Sequence, residues 1–153
     1  MLVKDFLTLY KADPFVQTLV SQILTNDNSH VQIKGLVGSV DAVIAAVTYQ
    51  ARPNIHLFIL EEKDDAAYFF NDLQNLVGEE AVRFFPMSYK KPYEYEEIDN
   101  ANVLMRAEVL NRLGSSLQKE ATKGTGLLIV SSPEALSEKV INRRSLVANT
   151  FSI

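Results

Sequence analysis

The fold is decided by one stretch of the chain, Val31-Gln-Ile-Lys-Gly-Leu-Val-Gly-Ser-Val-Asp-Ala-Val-Ile-Ala-Ala-Val47, which is followed by Arg52-Pro-Asn54 and Ile55-His-Leu-Phe-Ile-Leu60. The apolar run over 31–36 predicts a strand, and the glycines after it predict a turn. Apolar residues then recur at helical spacing, and the run over 55–60 predicts a second, buried strand. The order strand, glycine turn, helix, strand is typical of the opening unit of a parallel sheet.

The glycine turn aligns with the phosphate loop of nucleotide-binding proteins. That loop reads G-x-x-x-x-G-K-[ST], because its backbone N–H groups surround the phosphates, its lysine neutralises them and its hydroxyl binds magnesium. The aligned residues here are Gly35, Leu36, Val37, Gly38, Ser39, Val40, Asp41 and Ala42. The first glycine and the internal Gly-Ser pair are kept, whereas Val40, Asp41 and Ala42 replace the second glycine, the lysine and the hydroxyl residue.

These three replacements predict a phosphate loop by position that does not hold ATP. Asp41 puts a carboxylate where the phosphates need a cation, and each like-charge pair at about 4 Å costs on the order of 4 kcal/mol at an effective dielectric near 20. Val40 adds a β-branched side chain where the backbone must approach the ligand closely. The alternative is an ordinary strand-turn-helix with no nucleotide history.

Composition excludes several classes of protein. With 153 residues the chain is long enough for one domain with a full hydrophobic core. The net charge of −4 argues against a domain that grips the nucleic-acid backbone, and the lack of cysteine excludes disulfides, zinc ribbons and thiol catalysis. No secretory signal or membrane-spanning run is recognisable, so we expect a cytoplasmic protein without a membrane partner.

The remaining periodicities predict an α/β domain whose short, mostly parallel sheet is flanked by helices. Two helices before residue 28 form an N-terminal appendage, and Asp13-Pro14 is expected to begin the second. The acidic run 61–65 is expected to be the solvated start of a helix and not a metal site. The further predicted elements are a strand over 81–85, a helix over 99–113 that ends at Gly114, a polar link over 115–126, a strand over 127–130 and a short helix over 135–140. In the helix over 99–113, the side chains expected to face inward are those of Val103, Leu104, Ala107, Leu110 and Leu113. Those expected to face outward are Arg106, Glu108 and Arg112.

We expect residues 1–28 to form the helical appendage, 29–148 the α/β domain, and 149–153 the start of a following subdomain. The segment 145–153 has the pattern of an extended strand without a stop signal. The chain is therefore expected to be a fragment of a longer protein.

A tyrosine-rich segment covers residues 87–98. Tyr89, Tyr93 and Tyr95 lie beside two lysines and could stack on nucleobases. Glu94 and its acidic neighbours would oppose a phosphate backbone, so we favour a structured loop that leads into the next helix. Direct DNA binding stays as a hypothesis, and it predicts steeply salt-dependent association with a duplex.

Taken in order, these motifs resemble the N-terminal module of bacterial transcription-repair coupling factors, which itself is similar to the first subdomain of the excision-repair subunit UvrB. The resemblance covers about residues 31–153. It is carried by Lys34-Gly-Leu-Val-Gly-Ser-Val-Asp-Ala42, Ile55-His-Leu-Phe-Ile-Leu60, Phe84-Phe-Pro-Met-Ser-Tyr-Lys-Lys-Pro-Tyr-Glu-Tyr95 and Gly126-Leu-Leu-Ile-Val-Ser-Ser-Pro-Glu-Ala-Leu136. It implies a P-loop NTPase-like fold with a decayed phosphate loop.

The chain departs from UvrB at two places. UvrB has an intact phosphate loop and an aromatic hairpin that grips DNA, whereas here 93–99 runs into the next helix with no expected room for a hairpin. The resemblance therefore implies a fragment without catalytic residues, cofactor, metal or direct nucleic-acid contact. It implies a scaffold for recruiting nucleotide-excision repair, which makes contacts with the rest of its parent protein. In the parent, UvrA would bind the following subdomain, RNA polymerase and DNA would bind later regions, and a motor region using ATP and Mg would drive DNA translocation.

The main alternative is a small stand-alone enzyme that handles phosphates or nucleotides. Its nucleophile would be Ser39 with Asp41 as the base, and such a serine needs a base and an orienting partner. His30 and His56 are predicted at a strand edge and inside a buried strand, where a structural role is expected. Loss of turnover of a generic ester in Ser39→Ala would favour this alternative.

Overall fold

The computed structural model describes residues 2–25, 28, 30–91, 94–118 and 126–140. Its side chains are described over the same ranges except 90–97 and 115–118. The helices are α1 (Val3–Ala12), α2 (Pro14–Thr25), α3 (Val40–Ala51), α4 (Lys63–Val77), α5 (Asn100–Gln118) and α6 (Pro133–Ser137). The strands are β1 (Ile55–Ile59), β2 (Val82–Phe85), β3 (Tyr89–Lys91), β4 (Glu94–Ile98) and β5 (Leu127–Ser131). The chain is α/β, with a small parallel sheet flanked by helices, as predicted.

The main sheet has the order β1-β5-β2, and both pairings are parallel. Ile55 pairs with Leu127 and Val82 with Leu128, so β5, the last strand among the described residues, lies between the two earlier ones. Every residue of β5 is buried. Parallel sheets need both faces covered, and here the central strand meets that requirement.

Helices cover the two faces of β5 with separate cores. On one face Leu128, Val130 and Val82 pack against α1, α2, α3 and α4. On the other face Leu127 and Ile129 pack with Phe85, Val109 of α5 and Ala135 of α6. The N-terminal helices share the first core, because Leu7 and Val16 are buried in it.

Local signals fix several helix ends as predicted. The carboxylate of Asp13 accepts hydrogen bonds from the N–H groups of Phe15 and Val16 at 2.8 and 3.2 Å, so Asp13 caps α2. Asp99 caps α5 in the same way. The acidic run 61–65 leads into α4, and Gly78 ends that helix with a φ of 96°.

The strand predicted over 31–36 does not form. Residues 30–37 have no regular secondary structure, and Gly35 takes a φ of 83°, which breaks an extended backbone. A strand requires a neighbour, and β1 pairs instead with β5. The prediction that 55–60 is buried on both sides is also wrong, because β1 is an edge strand in the described part of the sheet.

Corrections also apply after β2. The structured loop predicted over 87–98 contains a short pair of antiparallel strands, β3 and β4. The predicted helix over 99–113 continues through Gly114 to Gln118. Val103 and Leu104 are exposed and Arg106 is buried, which reverses the predicted orientation of these three side chains. The strand predicted over 145–153 lies outside the described residues.

Gly126 is required by a close approach between α3 and the start of β5. A Cβ atom on Gly126 would lie 2.5 Å from a ring carbon of Tyr49 and 2.8 Å from the carbonyl carbon of Pro53. The Tyr49 hydroxyl donates to the Gly126 carbonyl at 3.0 Å, and burial raises the pKa of that hydroxyl. Gly114, inside α5, has no atom within 4 Å of such a Cβ.

These two glycines give a matched pair of substitutions. We expect Gly126→Ala to lower the free energy of unfolding by about 1–3 kcal/mol, because the Pro53 backbone cannot move aside easily. Gly114→Ala should raise it by about 0.5–1 kcal/mol, because alanine is the better helix former. Urea denaturation followed by circular dichroism measures both. Equal effects of the two substitutions would contradict the close packing at Gly126.

Candidate functional site

The glycine turn leads directly into α3 at one end of the sheet. Gly38 takes a φ of 60°, and the helix begins at Val40. Because α3 ends shortly before β1 begins, the helix and the strand run in opposite directions, and the start of α3 lies beside the carboxyl end of β1. Asp41, Ile59 and Leu60 accordingly line the same groove. Open α/β sheets bind ligands at this end of their strands.

Asp41 lies in the first turn of α3, at the position that the sequence aligns with the lysine of a phosphate loop. The side chain is half-buried, and its carboxylate accepts a hydrogen bond from the N–H of Ala42 at 2.7 Å. One of the free N–H groups at the start of α3 therefore already has an anionic partner, which the helix dipole favours. A nucleotide phosphate would have to displace this carboxylate and overcome its charge.

Ala42 lies at the position that the sequence aligns with the hydroxyl residue of a phosphate loop. Ala42 is 0% exposed and belongs to the main core, so this position supplies no oxygen ligand. Ser39, directly before the helix, makes no capping hydrogen bond through its side chain. Of the predicted loop residues, the structure therefore brings Asp41 to the groove and takes Ala42 into the core.

The groove beside Asp41 encloses about 470 Å³ and is mainly apolar. Its walls come from α2, the segment 31–36, α3, β1 and one residue of α4. The polar side chains among its lining residues are those of Asp41, Thr48 and His56. Three polar groups in an apolar groove are typical of a binding surface, but they do not form the anion site that a nucleotide needs.

The histidines and Ser39 are held apart by the fold. A ring nitrogen of His56 lies 2.8 Å from the carbonyl oxygen of Arg52, and the ring also contacts Tyr49 and Phe58. Ser39 lines a different cavity of about 280 Å³ with Tyr10, Phe6, Val40, Val43, Asp72, Asn75 and Leu76. His30 is exposed. The ring of His56 is therefore held by a backbone carbonyl and two aromatic rings, and the cavity at Ser39 contains no histidine.

A buried ionic cluster lies at the carboxyl ends of β2 and β5. The helical spacing of apolar residues in the sequence did not predict it. Arg106 of α5 is 6% exposed, and its Nη1 donates to the carbonyl oxygens of Pro86 and Ala135 at 2.8 and 2.9 Å. Its Nη2 lies 3.5 Å from Oε2 of Glu138. Glu138 in turn accepts from the N–H and the hydroxyl of Ser88. Three separate segments meet at this cluster, namely 86–88, α5 and 135–138.

Burial of the positive charge of Arg106 costs free energy, and neighbouring groups offset part of that cost. Burial lowers the pKa of the Arg106 guanidinium, while the negative charge of Glu138 raises that pKa in part. The guanidinium carbon lies 4.1 Å from the centre of the Phe85 ring, which adds a cation–π contact. Nη2 has no hydrogen-bond partner within the described residues, so its contact with Glu138 is electrostatic. No helical pattern in the sequence distinguishes this arginine from a surface one.

The tyrosine-rich segment lies next to this cluster. Tyr89 starts β3, and its half-buried side chain is close enough to influence Arg106 electrostatically. The side chains of Tyr93 and Tyr95 lie outside the described residues. The hypothesis of direct DNA binding through 89–95 therefore stays a prediction.

We expect the buried pair to contribute far more to stability than a surface pair. Arg106→Leu should lower the free energy of unfolding by about 3–5 kcal/mol, because it leaves the Glu138 carboxylate buried without its cation. Arg112→Ala is the matched control: Arg112 pairs with Glu108 on the surface at 3.4 Å, and its loss should cost no more than about 1 kcal/mol. Urea denaturation measures both.

A double variant separates the ion pair from simple packing. Arg106→Leu combined with Glu138→Leu should recover part of the loss, because neither charge is then buried alone. Additive losses in the double variant, or equal losses for Arg106→Leu and Arg112→Ala, would contradict an energetic role for this pair.

The described residues contain neither a metal site nor a membrane-spanning helix. No group of three or more histidine or acidic side chains within the described ranges is arranged to hold a metal ion. None of the helices in the described part of the chain combines the length and apolar content needed to cross a membrane.

Comparisons with protein-family profiles, curated sequences and solved structures gave no match to the chain.

Proposed function

We propose that this chain is a non-catalytic scaffold module of a transcription-repair coupling factor, with a P-loop NTPase-like domain whose phosphate loop has decayed. Its parent would be an ATP-dependent DNA translocase that recruits the nucleotide-excision repair machinery to stalled RNA polymerase. The proposal is supported by the order and spacing of the motifs that resemble this family, and by the chemistry of the phosphate-loop position.

The observation that carries the proposal is the hydrogen bond between the Asp41 carboxylate and the N–H of Ala42 at the start of α3. A working phosphate loop presents free N–H groups and a lysine at this point. Here one N–H is occupied by a side chain of the same charge as the ligand. Because Ala42 is also buried, neither ATP nor its magnesium has its usual partners.

A scaffold needs a fixed shape more than it needs a reactive group. The central strand β5 is buried along its whole length, and Arg106 ties the connection after β2 to α5 and to the end of α6. Both features favour a rigid body that holds its surfaces in constant relative positions. We infer that the module positions an adjoining UvrA-binding subdomain and makes contacts within the parent protein.

Isothermal titration with ATP and magnesium tests the loss of nucleotide binding. We expect no saturable heat at micromolar to submillimolar ATP, because the binding site has a carboxylate in place of a cation. A protein with an intact phosphate loop serves as the positive control. Micromolar binding by this chain, lost in a variant with Asp41→Lys, would overturn the proposal, since the carboxylate would then be part of a working site.

The parentage is tested separately, through the reading frame that carries this chain. We expect it to encode an intact G-x-x-x-x-G-K-[ST] loop and a D-E-x-[HQ] motif in a later motor region. In that protein, deletion of residues 1–153 should leave DNA-stimulated ATP hydrolysis in place and abolish recruitment of UvrA to stalled polymerase. Unchanged recruitment after the deletion would contradict the scaffold role.

A further inference from the structure

The outer edge of β1 carries backbone groups that have no strand to pair with in the described chain. The N–H of Leu60 donates to the backbone carbonyl oxygen of Ser131 at 3.0 Å, and the N–H of Leu127 donates to the backbone carbonyl oxygen of Asn54 at 3.1 Å. Alternate residues of a parallel strand bond to opposite sides, so the even-numbered residues of β1 face β5. The N–H and C=O groups of Ile55, Leu57 and Ile59 therefore point to the open edge.

The side chains of the same three residues are also uncovered. Ile55, Leu57 and Ile59 are 44%, 49% and 54% exposed, whereas their β5 partners Leu127 and Ile129 are buried under α5 and α6. The helical cover on this face thus ends at β5. The strand β1 has five residues and contains no lysine or proline, so its uncovered apolar edge can act as a template for another strand.

The groove described above continues this edge on the α3 side. It is lined by Phe58 and His56 of β1 and by Val31, Ile33 and Leu36 of the segment before α3. Neighbouring strands lie about 4.8 Å apart, so a strand paired with β1 would place alternate side chains in this groove and the others beside Leu57. Both faces of such a strand would bury apolar surface.

The carboxyl end of this edge is acidic. Glu61 and Glu62 follow β1 directly, Asp64 and Asp65 lie in the first turn of α4, and Asp41 lines the groove; Lys63 is the one cation within 61–65. The four carboxylates over 61–65 are exposed. A ligand with positive charge at this end of the strand would meet a complementary surface.

We infer that the outer edge of β1 is a docking site for an extended, apolar strand of a partner protein that carries lysine or arginine at the end beside Asp41 and Glu61. The unpaired backbone groups select a polypeptide, the groove selects alternate apolar side chains, and the acidic end fixes the polarity of the strand. This mode of recognition is strand addition. It stands on geometry and charge alone and does not depend on the proposed parentage.

Binding is tested on the 153-residue chain with a fluorescein-labelled peptide, Arg-Arg-Val-Thr-Val-Thr-Val, followed by fluorescence polarisation. Antiparallel pairing places its arginines at the acidic end of β1. We expect saturable binding that weakens at least 10-fold when the two arginines are replaced by glutamates. Methylation of alternate peptide nitrogens, which removes the pairing donors, should abolish binding.

A pair of protein variants locates the site. Leu57→Lys places a charge on the edge and should weaken peptide binding at least 10-fold. Leu104→Lys is the matched control, because Leu104 is 72% exposed on α5, away from β1. Equal effects of the two variants, with both folded by circular dichroism, would overturn the proposal.

Amide hydrogen exchange followed by NMR gives the signature of strand pairing. With the peptide bound, exchange at Ile55, Leu57 and Ile59 should slow at least 10-fold, while His56 and Phe58, already bonded to β5, should change little. Uniform slowing, or none, would overturn strand addition. Concentration-dependent dimerisation through β1, or peptide binding only after removal of residues 141–153, would also overturn it, because a second copy or the chain itself would then be the occupant.

Discussion

The structure depends on the burial of β5 between two strands and two helical layers. The strand pairs on both edges, so its backbone groups are satisfied, and each of its faces meets a separate core. Both cores therefore depend on β5, which follows its two partner strands in the sequence. The long separation between β5 and its partners also means that the sheet cannot be completed from local contacts.

The chemistry of the phosphate-loop position follows from this arrangement. Once β1 pairs with β5, α3 must run back along the sheet, and its first N–H groups arrive at the carboxyl end of the strands. A helix start at that point attracts anions in many α/β proteins. Here the anion is Asp41 itself, and the preceding segment, 31–36, has no regular secondary structure and lines a groove together with β1. The start of α3 therefore carries a carboxylate at residue 41 and a buried alanine at residue 42, and it has no lysine or hydroxyl at these positions.

The chemistry at Asp41 results from the fold, whereas the buried ion pair helps to determine it. Arg106 and Glu138 lie far apart in sequence, and their burial costs free energy that only the surrounding carbonyl groups, Ser88 and the Phe85 ring offset. Such a cluster tolerates few alternative geometries. It therefore fixes where the chain leaves β2 and where α6 ends, and with them the base of the β3–β4 hairpin.

The sequence by itself determined the α/β class, both N-terminal helices, the cap at Asp13, three of the strands and the adverse chemistry at 40–42. These features depend on local spacing, capping and residue type, which act within a few residues. The tertiary structure alone decided that 31–36 has no strand partner, that β1 lies at an edge, that 89–98 forms a hairpin and that Arg106 is buried. Each of these depends on which distant segment supplies a neighbour, and a side chain's own chemistry does not specify its neighbour: Arg106 has the residue type of a surface arginine and becomes buried because Pro86, Ala135 and Glu138 are brought around it.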